Sequence, residues 1–184
     1  MFQELGSNPA TMGASKACDC FAPLVGNAGG QADATAAYTQ AELKGTETWV
    51  ELPRHKWPTQ WEGKFSRPCC PLLLALYGHP DAGGYWEQHC ENHLLSVGFS
   101  CPFPDWPSCY WHEVLSLFLV VYVDDFKLAG PIGNIPKGWA LIRKGIKMDD
   151  PTDVGLYLGC EHRQSTESPG QVQRSELGYG ELPP

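Results

Sequence analysis

The sequence has no apolar run approaching the roughly 18 to 20 residues that a membrane-crossing helix requires. It also lacks a basic segment followed by an apolar stretch near its start. These absences predict an intracellular, soluble chain with no membrane partner. Basic charge is scarce, because 13 lysines and arginines face 21 aspartates and glutamates, for a formal net charge of −8. Such a balance excludes a free-standing protein that holds nucleic acid by overall charge, and any nucleic-acid role requires a local site. No CxxC pair and no repeating disulfide-type spacing occur among Cys18, Cys20, Cys69, Cys70, Cys90, Cys101, Cys109 and Cys160. Reduced thiols are expected, and a structural zinc framework has little support.

What is present fits one globular domain. A chain of 184 residues with 42% hydrophobic content is long enough to bury a core. The 20 glycines and 16 prolines predict many turns and long connections, which disfavours an all-helical bundle. Residues 1–30 show no sustained period and read as a helix fragment plus loop, with a start that looks cut into. Residues 31–43 (QADATAAYTQAEL) begin like a strand end and continue in good helix formers, with Asp33 at the junction. Residues 46–53 fit a short strand with one wet face, and a loop rich in tryptophan, proline and charge covers 54–68.

Residues 70–77 (CPLLLALY) form an apolar run with the length of a buried strand. Trp86, Cys90, Leu94 and Val97 recur at helical spacing and predict a helix that ends near Gly98 and packs on a sheet. Residues 108–112 and 117–123 read as two strands separated by a polar turn, the second continuing through Asp124 and Asp125 into FKLAG. Ile135, Trp139, Ile142 and Ile146 form another helical stripe, with Asn134 as its N-cap, and VGLYLGCEH (154–162) closes with a strand. The polar remainder, 163–184, is expected to be a disordered tail.

The segment LFLVVYVDDFKLAG carries the strongest chemical signal. An apolar strand delivers two adjacent carboxylates, which makes an acidic hairpin tip. Desolvation and like-charge repulsion at that tip are both offset by a divalent cation, and magnesium prefers oxygen ligands of this kind. The bland alternative is that Asp-Asp is simply a turn dipeptide. A third carboxylate from another strand would complete a site for two-metal phosphoryl transfer. Asp33 is the best candidate, its bland role being a helix N-cap.

In order, these blocks resemble the reverse transcriptases of copia-type LTR retrotransposon polyproteins. YVDD (122–125) is similar to the polymerase motif of that family. QADATAAYTQAEL resembles its first catalytic block, an aspartate followed five residues later by an aromatic, here Asp33 and Tyr38. LYGHPDAGGYWEQHCENHLLSVGF (76–99) resembles the family's LYG...AW...L...GF block, and VGLYLGCEH the block that grips the primer. The resemblance spans roughly 33–162. It implies an α+β fold, a palm-like antiparallel sheet backed by helices over 29–162, with incomplete fingers (1–28) and thumb.

Carried over by position, the resemblance implies that Asp33 and Asp124 ligate both magnesium ions, with manganese as a substitute, and that Asp125 supports one of them. Tyr38 would lie under the nucleotide sugar, where its ring excludes a 2′-hydroxyl. Tyr122 and Val123 would flank the primer end, and Leu158 and Gly159 would belong to the primer grip. The implied partners are an RNA or DNA template-primer, deoxynucleoside triphosphates, and the polyprotein's fingers, thumb, RNase H and integrase regions. The implied compartment is the cytoplasm, in a retroelement particle, or the nucleus.

The chain departs from the family pattern at Asp81, which stands where a glutamine contacts the incoming nucleotide and whose charge would repel a triphosphate without a cation. Gly83 and Gly84 replace a stiff proline-arginine turn.

Two rivals accompany this reading. One is a catalytically silent remnant, or a partial palm that needs missing flanks. The other is a zinc or interaction module on the helix bearing His89, Cys90 and His93, where HExxH is not met. Of the tryptophans, only Trp57 and Trp61 read as candidates for base stacking rather than packing. Arg143, Lys144 and Lys147 read as a helix-end cluster, with a role near phosphates as the alternative.

Overall fold

Thr11 opens the first helix by accepting the Ala14 amide on its hydroxyl, and α1 runs over Met12–Phe21. The computed structural model of the chain describes residues 6–164 and the backbone of 175–179. After α1 come strand β1 (Asn27–Asp33), a 3₁₀ turn (Ala37–Gln40), and a small antiparallel ribbon of β2 (Trp49–Glu51) and β3 (Cys69–Pro71). Helix α2 (Ala82–Ser96), β4 (Cys109–His112), β5 (Leu117–Tyr122), β6 (Asp125–Pro131) and α3 (Ile135–Ile142) follow. The last strands are β7 (Leu156–Tyr157), β8 (Cys160–Gln164) and β9 (Ser175–Tyr179), which form a three-stranded sheet. The described fold is therefore mixed α+β with antiparallel sheets and three α-helices. None of those helices is long and apolar enough to cross a membrane.

The central sheet has the order β1-β6-β5-β4, every pairing antiparallel. Alternation along its strands feeds two cores. On one face Leu117, Leu119, Val121, Phe126 and Leu128 pack against Trp86, Cys90 and Leu94 of α2 and against Trp139 and Ile142 of α3. On the other, Phe118, Val120 and Ala129 pack against Ala14 and Cys18 of α1. A strand covered on both faces reads as a continuous apolar run, which accounts for LFLVV. Gly138 lets α3 lie close to the sheet, since a methyl group there would overlap Leu117.

The first helical stripe holds over Trp86, Cys90 and Leu94, all at most 2% exposed, with Val97 just past the helix end and partly buried and Gly98 at φ +99°. The second holds only through Ile142, because α3 ends there and Ile146 is buried from the following turn. Several other expectations fail. Residues 70–77 are not a buried strand, because the β2–β3 ladder stops at Pro71, only an isolated bridge from Leu74 to Glu42 follows it, and Leu73, Leu74, Leu76 and Tyr77 are exposed. The good helix formers after Asp33 make only the 3₁₀ turn, entered through Ala36 at φ +50°. VGLYLGCEH is a hairpin rather than one strand. Leu158 and Gly159 both have positive φ, the signature of a two-residue type I′ turn.

Asn134 sits at the N-cap of α3 without capping it. Its side-chain amide donates to the Leu115 carbonyl, and its oxygen accepts from Lys137. Of the tail, Ser175–Tyr179 pairs with β8, while 165–174 and 180–184 lie outside the described residues. Trp49 is exposed rather than packed, and Arg143 bonds Asp150 at 2.9 Å on the surface.

Candidate active site

The strand order brings the first and last strands of the carboxylate set together. β1 lies beside β6 in a register that places Asp33 directly opposite Asp125. Tyr122 faces Asp125 from β5, so Val123 and Asp124 form a two-residue turn between β5 and β6. Val123 has φ +56°, a costly conformation for a β-branched residue. Two hydrogen bonds hold it there: the Trp86 indole N–H donates to the Val123 carbonyl, and the Ala34 amide to the Asp124 carbonyl, both at 2.7 Å. Helix α2 and the residue that follows β1 thus brace the turn from two sides. Trp86→Phe removes one brace and leaves the Val123 carbonyl without its donor. A loss of about 1 to 2 kcal/mol is expected, measured by urea denaturation.

The carboxyls are close enough to compete. Asp33 is exposed, whereas Asp124 and Asp125 are half-buried. Burial pushes Asp125 up to about 6, reinforced by the charges of Asp33 and Asp124 and by a side-chain hydrogen bond with Asp33. A proton held this way favours the folded chain at low pH, and the benefit is lost as the pH rises through about 6. The full shift corresponds to roughly 3 kcal/mol, which solvent screening at a half-buried group reduces to on the order of 1 kcal/mol. Asp125→Asn is therefore expected to stabilise the chain by about 1 kcal/mol at pH 7.5 and to bring no gain at pH 4. Thermal melts at the two pH values check this.

Tyr38 reaches the same cluster from the 3₁₀ turn. Its ring packs on Tyr77 with centroids 4.4 Å apart, and burial, then Tyr77 and Asp124, push its hydroxyl up. Tyr122 is 38% exposed beside the turn. Leu158 and Gly159 form the tip of the β7–β8 hairpin, next to Tyr157, whose hydroxyl faces the Asp125 carbonyl at 3.4 Å. Asp81 is different. It is only 6% exposed at the N-cap of α2, with its carbonyl accepting the Tyr85 amide.

Sequence reasoning missed Tyr157 and Trp86 as parts of this site. An indole N–H in a predicted core helix was the available signal for Trp86, since it requires a buried acceptor.

Among the described residues, no three His, Cys, Asp or Glu side chains surround one point closely enough to hold an ion. In donor chemistry Asp33, Asp124 and Asp125 nonetheless suit magnesium. All three offer carboxylate oxygens, and both the burial of Asp125 and its repulsion by Asp33 and Asp124 are costs that a hard cation would offset. The zinc alternative fares worse. His93 Nε2 donates to the Leu141 and Ile142 carbonyls, at 3.2 and 2.9 Å, which leaves only Nδ1 of that ring as a possible ligand atom.

The chain matches no protein-family model, and no curated protein is significantly similar to it.

Proposed function

We propose that this chain is a palm portion of an RNA-directed DNA polymerase, similar to those of copia-type LTR retrotransposons. It would add deoxynucleotides to a primer 3′ end on an RNA or DNA template. The observation that carries the reading is the cross-strand pair Asp33 and Asp125, with Asp124 in the adjoining turn. Asp33 and the adjacent pair Asp124-Asp125, distant from it in sequence, lie at one end of an antiparallel sheet backed by helices, and carboxylates brought together from separate strands are what two-metal nucleotidyl transfer needs.

In this reading Asp33 and Asp124 would hold magnesium or manganese with support from Asp125, and the bound metal would activate the attacking oxygen and stabilise the leaving one. The primer 3′ hydroxyl would give up its proton to solvent and bond to the α-phosphorus of the triphosphate as the bond to the pyrophosphate leaving group breaks. The protein's own work is placement. The braced turn fixes Tyr122 and Val123 beside the primer end, and the Leu158–Gly159 tip supports the strand behind it. Tyr38, held against Tyr77, presents its ring where a 2′-hydroxyl would otherwise fit.

Primer extension on an RNA template with magnesium tests the reading. The parent is expected to extend with deoxynucleotides in preference to ribonucleotides, and Asp33→Asn to extend at least a thousandfold more slowly while keeping the parent's circular dichroism. Extension unaffected by Asp33→Asn, or none from a folded parent in magnesium or manganese, counts against it.

A second reading, a catalytically silent or partial palm that works only with further segments of a polyprotein, is favoured by one observation. Leu73, Leu74, Leu76, Tyr77 and Trp49 are all exposed, an apolar surface of the kind that marks a missing neighbour. The burial of Asp81, 6% exposed where the family pattern has a nucleotide-contacting glutamine, agrees with it.

A further inference from the structure

Lys127 follows Asp125 by two residues on β6, so the two share a face of the strand, and Lys127 is 1% exposed. A buried ammonium has three protons to place. Asp19 Oδ1 takes one at 2.8 Å and Ser15 Oγ another at 2.9 Å, both on α1, while His162 Nε2 on β8 lies at 3.4 Å. His162 Nδ1 faces the carbonyls of Gly155 and Cys160, which only accept, so Nδ1 carries a proton there. Asp19 Oδ2 lies 3.2 Å from the same Nε2. The Tyr157 ring covers the remaining side of the ammonium, 3.9 Å from Nζ to its centroid. Beyond that ring the Tyr157 hydroxyl donates to the Asp125 carbonyl at 3.4 Å.

An apolar residue at 127 would pack between α1 and the sheet without the desolvation that a lysine incurs. What the charge adds is direction. It fixes one ring, in one orientation, next to the carboxylates.

We propose that Lys127 and Tyr157 are positioning residues for the carboxylate site. The ammonium, anchored on α1, holds the Tyr157 ring face-on, and the Tyr157 hydroxyl registers the hairpin tip Leu158–Gly159 against the Asp125 backbone. The inference rests on reading Asp33, Asp124 and Asp125 as a divalent-metal site, and it gives that site an outer layer whose loss weakens metal binding indirectly.

The test uses two readouts on the full chain: Mn2+ binding by electron paramagnetic resonance, and amide exchange at Tyr157 and Cys160. Tyr157→Phe keeps the ring and removes the hydroxyl. The pair Lys127→Met with Asp19→Asn removes both charges together and leaves neither buried alone. Each is expected to weaken Mn2+ binding about tenfold and to speed exchange at Tyr157 and Cys160, with exchange at Leu94 and Leu119 unchanged.

Parent-like Mn2+ affinity in both variants, with Asp124→Asn binding none, overturns the positioning role and leaves the metal site standing. Absence of Mn2+ binding by the folded parent overturns the metal site and the positioning role with it. If the double variant fails to fold, Tyr157→Phe decides alone.

Discussion

Leu119→Asp is expected to unfold the chain, while Asp124→Asn in the same hairpin leaves it folded. Leu119 is completely buried in the middle of β5, packed in the core that joins the sheet to α2 and α3. Removing a buried leucine side chain costs about 2 to 5 kcal/mol. An unpaired carboxyl in its place adds several more, because it must either ionise in an apolar core or take up a proton at neutral pH. The sum matches the roughly 5 to 15 kcal/mol that holds a typical domain together. Asp124, by contrast, is half-buried at the turn and contributes its backbone carbonyl to Ala34, a bond that asparagine retains. Circular dichroism and urea denaturation of the two variants check this. Equal losses would mean that the Asp124 carboxyl is structural, and the metal site would lose its least replaceable member.

Lys127→Met is expected to cost about 3 to 5 kcal/mol, and adding Asp19→Asn to recover most of it. The methionine fills the stem's place, so packing changes little. The loss comes from Asp19, which is 8% exposed and would be left without the cation 2.8 Å away. Neutralising Asp19 removes that penalty, so the double variant should be more stable than Lys127→Met by about 2 kcal/mol or more. Urea denaturation of the two single variants and the double one at pH 7 completes the cycle. Additive losses would show that the two charges do not interact.

Much of the central sheet was legible because its residues obey local rules. The apolar run that ends in Asp124 and Asp125 has a strand's length, and Trp86, Cys90 and Leu94 keep helical spacing, so hairpin and helix both follow from period alone. Asp33 was legible as a strand end, and the register opposite Asp125 agrees with that placement.

Residues 70–77 were misread for a physical reason. An apolar run has the same pattern whether another segment covers it or not, and here Leu73 is 75% exposed. The β7–β8 turn was hidden because Leu158 adopts positive φ against its preference, with only Gly159 to signal a tight turn.

The Lys127 cluster was out of reach for sequence reasoning altogether. Asp19 is 108 residues away in the chain, and nothing local to β6 distinguishes a buried lysine from one on a wet face.

The most direct measurement is a Mn2+ titration of the parent, Asp33→Asn and Asp124→Asn by electron paramagnetic resonance at pH 7.5. Binding by the parent that is lost in both variants, with all three equally folded, is the expected result. Binding that survives both substitutions, or its absence from the folded parent, would contradict the assignment of Asp33, Asp124 and Asp125 to one metal site.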